Sequence, residues 1–422
     1  MFALAPPARA RAVAREVLAC RPMGLLDRLR GRPEDRFARE VLAAVRARGV
    51  EAWYDRDEFV VGYRQAPGDS QGLLYLRNTF LESRGEAARE RAERIAKLVN
   101  NAMVEEGLPG WAEVVALLRP VLRGVTFHIG APDGAPPLLS RPGLPFLNEL
   151  VVVDRPTTMA YVTTDQVRTW GVRPDEVFAA ARANLARLAG QALEGFAGPD
   201  GPAMLRFLDS GDEYIIGRLL LNGWLARLAD HVGGRPVAFA PDTQTLVVVR
   251  DDPALLAEVL PQIEEEYTEA PRSLTPAAYT VDASGAVVPY AAVEPVELAN
   301  LVHRAESILA QAEYAAQKDW LDASHEKHSI DVYVAQLMMF RRPDGSVFTA
   351  TTWTDGAEAL LPRADVVGFA THDGSQEPFF VPWPVVEAET GLAPDVGTAP
   401  PRYSVTAWPA EPVLSRLRAA AI

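Results

Sequence analysis

"RPVAFAPDTQTLVVVRDDPALLAEVLPQIEEEY", residues 235–267, decides the fold class. Two apolar, β-branched runs flank a Pro241-Asp242 turn, which reads as an antiparallel hairpin. Asp251 and Asp252 then precede Pro253, a helix start with acidic groups at its positive end. "DPALLAEVLPQIEEEY" is the helix. Antiparallel hairpins alternating with helices predict α+β architecture.

The same grammar extends outward. Upstream, "DEYIIGRLLLNGWLARLADHVG" is apolar around nearly its whole circumference and is read as a central helix. "MLRFLD" reads as a strand, and "RPDEVFAAARANLARLAGQAL" as a helix started by Pro174 with acids in its first turn. "TDQVRTWG" is a short helix capped by Thr164, and "NELVVVDRPTTMAYVTT" a hairpin. Residues 130–145, rich in Gly and Pro, read as a linker. The first module reads α-β-β-β-α-α: the helix "PEDRFAREVLAAVRARGV", the hairpin "VEAWYDRDEFVVGYR", the strand "GLLYLRNTFLE" and the helices "GEAARERAERIAKLVNNAM" and "WAEVVALLRPVL". Helix, Gly, strand, Asp turn and strand recur at 35–65 and 213–250, a hint of repeated α-β-β units. Downstream, "AAYTVDASGAVVPYA" is a hairpin. Residues 293–324 form one long strut helix, and "IDVYVAQLMMFRRPDGSVFTATTWT" turns at Asp344-Gly345. The expected fold is therefore α+β in two domains, 34–292 and 293–422, after a frayed extension over 1–33.

Composition bounds the function. The 422 residues are 48% hydrophobic and 23% charged, which supports packed cores. A formal net charge of -14 disfavours broad nucleic-acid binding. The single cysteine, Cys20, can form neither an internal disulfide nor a Cys-based zinc site, which fits a reducing cytoplasm. No apolar run approaches the ~18 residues of a membrane span. "MGLLDRLRGRPEDRF" from Met23 reads as a more natural start than the Ala/Arg/Pro-rich residues before it. Leu25, Leu26 and Leu29 could form a short amphipathic membrane foot, weighed against a leader docked on the first helix.

Residues 147–250 carry an ordered set of features. A strand ends in Asp154, a second leads to "TTDQVRTWG", and a helix contains "AARANL". The acidic-ended strand "FLDSGDEY", an apolar helix and "RPVAFAPDTQTLVVVRDD" follow. In this order the chain resembles the bacterial YtpQ-like family, a domain of unknown function. The likeness extends over about 34–292, including the opening helix and three strands and the closing hairpin "YTVDASGAVVPY". The sequence departs from the family pattern at Asp242, which directly follows Pro241 without a polar pair. The resemblance implies no activity.

Candidate chemistry is sparse. In "DASHEKHSIDVYVAQLMMF", residues 322–340, a helix continued to Lys327 puts Asp322, His325 and Glu326 on one face, and His325 and His328, three apart, are neighbours as well. Imidazole and carboxylate could ligate a metal. The preferred reading is a helix C-terminus, where His and Lys meet the negative end of the dipole. Asp209, Asp212 and Glu213, with Asp251 and Asp252, could act as acid and base or hold Mg²⁺, against a preferred role in helix capping. Asn184, in the middle of a helix, reads as a structural polar anchor. "EPFFVPWPVV", 377–386, sets Phe379, Phe380 and Trp383 among prolines. It is the best single guess for a protein-contact surface, with core packing as the alternative. No G-x-S-x-G and no P-loop is present. The expectation is a non-catalytic cytoplasmic protein-binding or adaptor protein without a cofactor. A metal-dependent or carboxylate-based hydrolase and a membrane-peripheral protein are the alternatives.

Overall fold

The computed structural model describes residues 32–422 except 57–58, 65–71, 104–109, 132–135, 156–158, 192–203 and 210–213. The chain folds as α+β, with helices and mostly antiparallel sheets. It divides into two compact units, Met1–Glu105 and Glu106–Ile422. The boundary expected near 292 falls inside the second unit.

In the first unit, the helix Pro33–Arg46 buries Phe37, Ala38, Val41 and Val45, a stripe of the spacing that 3.6 residues per turn requires. The stripe packs with Ala52, Val61 and Leu74 of an antiparallel sheet ordered Glu51–Asp55, Val60–Arg64, Gly72–Tyr75, and with Ile95 and Val99 of the helix Ala88–Met103. The third strand is shorter than the sequence suggests: Arg77–Glu82 is helical, and Phe80 turns into the core.

The second unit is organised around a five-stranded antiparallel sheet. Its order is Val287–Pro289, Ser273–Val281, Pro236–Asp242, Thr245–Arg250, Met204–Leu208. Alternation along the strands divides two cores. Val237, Phe239, Val247 and Val249 face the helices Pro253–Glu269 and Val296–His328. Ala238, Ala240, Leu246 and Val248 face the opposite core, with Trp224, Leu225 and Leu228. That opposite core contains the segment expected as a central helix. It is central and buried, but it forms 3-10 turns at Ile216–Leu220 and Leu225–Leu228 and a short helix, Ala229–Val232. Gly223, at φ 76°, interrupts any continuous helix there. An all-round apolar sequence fixes burial but carries no helical phase to enforce.

A second sheet holds Leu118–Gly124, Leu147–Asp154 and Ser140–Leu144, with Met159–Tyr161 also paired to the central strand. Two expectations are corrected here. "LRPVL" is strand rather than helix, and residues 140–144 are an edge strand rather than linker. Pro142 lacks an N–H, which an edge position tolerates. The short helix Thr164–Trp170 is capped by Thr163, through a reciprocal pair with Gln166. Asn184 is the anchor expected: its Nδ2 donates to Val115 O at 2.7 Å and Leu118 O at 3.0 Å.

The long helix Val296–His328 packs first on the five-stranded sheet and then on the C-terminal strands. Those strands form two sheets, Met338–Arg341, Val347–Thr354, Val366–Ala370, Phe379–Pro382 and Tyr333–Val334, Ala359–Pro362, Arg402–Val405. They enclose a core of Trp353, Phe369, Val381, Trp383 and Tyr403.

Candidate functional site: a cleft beside the long helix

Positions three and four apart on a helix form one face. On the long helix His303, Glu306, Ser307, Ala310 and Tyr314 form such a face, and they line a cleft of about 860 Å³. The opposite walls are the hairpin residues Pro142–Asn148, Leu337 just before the strand Met338–Arg341, Thr349 of the strand Val347–Thr354, Ala364 and Asp365, and the loop 398–401. Every lining residue belongs to the second unit.

The second sheet is tied to the helix at two points, the turn after Leu118–Gly124 and the hairpin tip. Glu313 Oε2 accepts hydrogen bonds from Thr126 N at 2.9 Å and from Thr126 Oγ1 at 2.7 Å. Gly124 makes this possible, since a Cβ there would collide with the Glu313 carboxylate. Burial raises the Glu313 carboxyl pKa, against the lowering effect of the Thr126 bonds. At the hairpin tip Phe146, at φ 60°, sets its ring edge-on to Tyr314 with centroids 5.8 Å apart. Tyr314 donates to Pro401 O at 2.8 Å and accepts from Arg363 N at 3.2 Å, and burial pushes its phenol up to about 12.

The polar centre of the cleft is a His–Asp pair. His303 Nε2 lies 3.0 Å from Asp365 Oδ2. The same oxygen accepts from Thr349 N at 2.6 Å and Thr349 Oγ1 at 2.9 Å. The hydrogen bond to Asp365 raises the His303 pKa, against partial desolvation. Burial pushes Asp365 up, but His303 and Thr349 together outweigh it and leave the carboxyl below its ordinary value. One turn on, Glu306 is raised by burial, with His303 opposing and Asp365 reinforcing. Among the described residues Glu306 has no hydrogen-bond or ion-pair partner, and His303 Nδ1 has none either.

A smaller cavity of about 370 Å³ lies further along the helix, lined by Gln317, Trp320 and Leu321. It shares Val125, Asn148, Thr398 and Ala399 with the larger one. The helix is fixed between them by Arg402. This fully buried guanidinium donates to Gln317 Oε1, Ala335 O, Leu360 O and Tyr314 O at 2.7–3.1 Å. Burial lowers its pKa to about 10.

The residues singled out from sequence lie elsewhere. Asp322 pairs with Lys318 Nζ at 2.8 Å. His325 Nδ1 is 3.0 Å from Val332 O, and His328 Nδ1 is 2.8 Å from Ser324 O. Both imidazoles thus meet backbone at the helix end. Among the described residues no group of three or more His, Cys, Asp or Glu side chains converges as a metal shell. Asp209 Oδ2 accepts from Ile215 N at 2.9 Å. Asp212, Glu213, Cys20, Leu25, Leu26 and Leu29 lie outside the described residues. Asp252 caps its helix through Ala254 N and Leu255 N, and Asp251 accepts from Tyr290.

The aromatic contact surface is corrected. Trp383 is 1% exposed and packs edge-on to Tyr403, so it belongs to the core. Phe379 stacks on Phe369 with centroids 4.9 Å apart, and of the three only Phe380 is exposed. Prolines 382 and 384 bracket the start of the helix Trp383–Thr390, which turns Trp383 inward.

His303, Glu306 and Asp365 were missed. The signal available was His303 and Glu306 three apart on a helix, a spacing too common to single out. Their meeting with Asp365, 62 positions from His303, is a tertiary event. No helix among the described residues is long and apolar enough to cross a membrane. No family model, curated protein or solved structure significantly matches the chain.

Proposed function

We propose that this protein is a non-catalytic binding protein of the cytoplasm, an adaptor that receives a segment of another protein in the cleft beside the long helix. One observation carries the preference for binding over nucleophilic catalysis. Each hydroxyl lining the cleft already donates its proton to a protein acceptor. Ser307 donates to His303 O at 2.8 Å, Tyr314 to Pro401 O at 2.8 Å, Thr349 to Asp365 Oδ2 at 2.9 Å and Thr398 to Asp395 O at 3.2 Å. A nucleophilic hydroxyl needs its proton on a base, and none of these is aimed at His303 Nδ1. The cleft's volume falls within the ~300–1,000 Å³ of ligand sites, and its apolar walls enclose a few convergent polar groups with perturbed pKa values. Kinship with the YtpQ-like family is part of the proposal and rests on the order of features over 34–292.

The test is affinity purification of the full chain at native expression, beside Ala310→Trp, which fills the cleft from the helix wall. A stoichiometric partner that Ala310→Trp loses at unchanged melting temperature supports the proposal. A partner retained equally by both variants removes the cleft from it.

A further inference from the structure

We propose that the cleft recognises a basic side chain, lysine or arginine, of the bound segment, with the Glu306 carboxylate and His303 Nδ1 as its acceptors. This rests on the binding reading above. Three observations carry it.

First, the cleft offers unengaged acceptors. The Glu306 carboxylate has no partner among the described residues, and the imidazole of His303, tied through Nε2 to Asp365, leaves Nδ1 open. When Nε2–H is donated to Asp365, Nδ1 is a lone-pair acceptor. Two acceptors one helical turn apart call for a ligand rich in N–H donors.

Second, Asp365 adds a further negative charge behind the imidazole, and its Oδ2 is already filled by three donors. A cation in the cleft therefore feels that charge while bonding to its neighbours. The chain's net charge of -14 adds long-range attraction. The opposing charges are Arg342, which acts on His303 from the turn before Val347, and the exposed Arg363 at the wall.

Third, Phe146, Ala310, Leu337 and Pro400 line the same cleft. Lysine and arginine carry an aliphatic stem that apolar walls accommodate while the charged head reaches the acceptors. A bare metal ion or a small hydrophilic cation would leave those walls unused.

The proton linkage has a definite sign. A cation binds the ionised form of Glu306 and the neutral form of His303. Affinity therefore rises with pH through the raised values of both groups. A carboxylate ligand would need the opposite forms and would bind more tightly as pH falls.

The experiment is calorimetric titration of the full chain with acetylated, amidated Ala-Ala-Lys-Ala-Ala, the same peptide with Glu replacing Lys, and free cadaverine, at pH 8 and pH 5.5. The expected result is binding of the lysine peptide at pH 8, at least tenfold weaker at pH 5.5 and at least tenfold weaker in Glu306→Gln. Equal or tighter binding of the glutamate peptide overturns the proposal, as does lysine-peptide affinity unaltered by Glu306→Gln. Cadaverine binding as tightly as the peptide overturns the assignment to a protein segment. Should Glu306→Gln fail to fold, the pH dependence of the wild type and the shift of the His303 ring resonances on adding the peptide decide the question. Failure of the lysine peptide, with a cellular partner still lost in Ala310→Trp, overturns the ligand class and leaves the cleft reading standing.

Discussion

Two ends of one helix treat charge in opposite ways. Near its C-terminal half, Gln317 and Tyr314 receive Arg402, a guanidinium with no solvent exposure whose donors meet one side-chain and three backbone oxygens. Near its N-terminal half, His303 and Asp365 are about 40% and 37% exposed, and Glu306 beside them is unpartnered. A buried charge persists only when its hydrogen bonds are made within the protein. A half-exposed cluster with open acceptors keeps that capacity for something else. The first arrangement holds the fold together, and the second is where a ligand can gain from binding.

The largest effect is expected in the C-terminal core on which the helix packs. Trp383→Ala should lower stability by about 4 kcal/mol, as large-to-small core changes do, measured by urea unfolding. Phe380→Ala should cost less than about 1 kcal/mol. If the two variants unfold at the same urea concentration, the placement of Trp383 in the core is wrong. Arg402→Met should cost about 3 kcal/mol, because it leaves Gln317 Oε1 without that donor and removes one hydrogen bond from each of three carbonyls. Arg402→Lys should recover little of that, since a point charge cannot span four acceptors.

At the cleft the effects are smaller and depend on pH. The raised His303 contributes stability that is full below its ordinary 6.5 and lost as pH rises through its folded value. The depressed Asp365 contributes stability that is full above its ordinary 3.8 and lost as pH falls through its folded value. His303→Ala should therefore lose most, relative to wild type, between about pH 4 and 6.5, and progressively less above that window. A difference constant from pH 4 to 9 would break the assignment of the pair. Glu306, raised by burial, favours the fold below its ordinary 4.5 and loses that advantage as pH rises through its folded value. Glu306→Gln should match wild type at pH 4 and be more stable at pH 8 by less than about 1 kcal/mol. A variant less stable than wild type at pH 8 would mean that Glu306 has a protein partner, and the contrast between the helix ends would fade.

Much of the fold was legible in local pattern. The hairpins at 236–250 and 338–354, the amphipathic Phe37–Val45 stripe and the long helix were each carried by a period or a turn signal that neighbouring residues state outright. Where pattern was absent, reading failed. The apolar run 214–232 states burial without a phase and folds as 3-10 turns. "LRPVL" continues a helical-looking segment, yet strand pairing with Leu147–Asp154 claims it.

The sequence by itself determined the fold class, the principal hairpins and the acidic character. These depend on contacts between near neighbours or on summed charge. Only the tertiary structure decided where chemistry could occur. His303, Glu306, Asp365 and the walls of Phe146, Leu337 and Pro400 span more than 250 positions and meet through packing of the long helix against hairpin and C-terminal strands. Packing in the C-terminal core likewise decided that Trp383 is buried, while His325 and His328 meet nearby backbone carbonyls at the helix end. Periodicity tells which face of an element is buried. It does not tell which other element will lie against that face, and a site is made of such encounters.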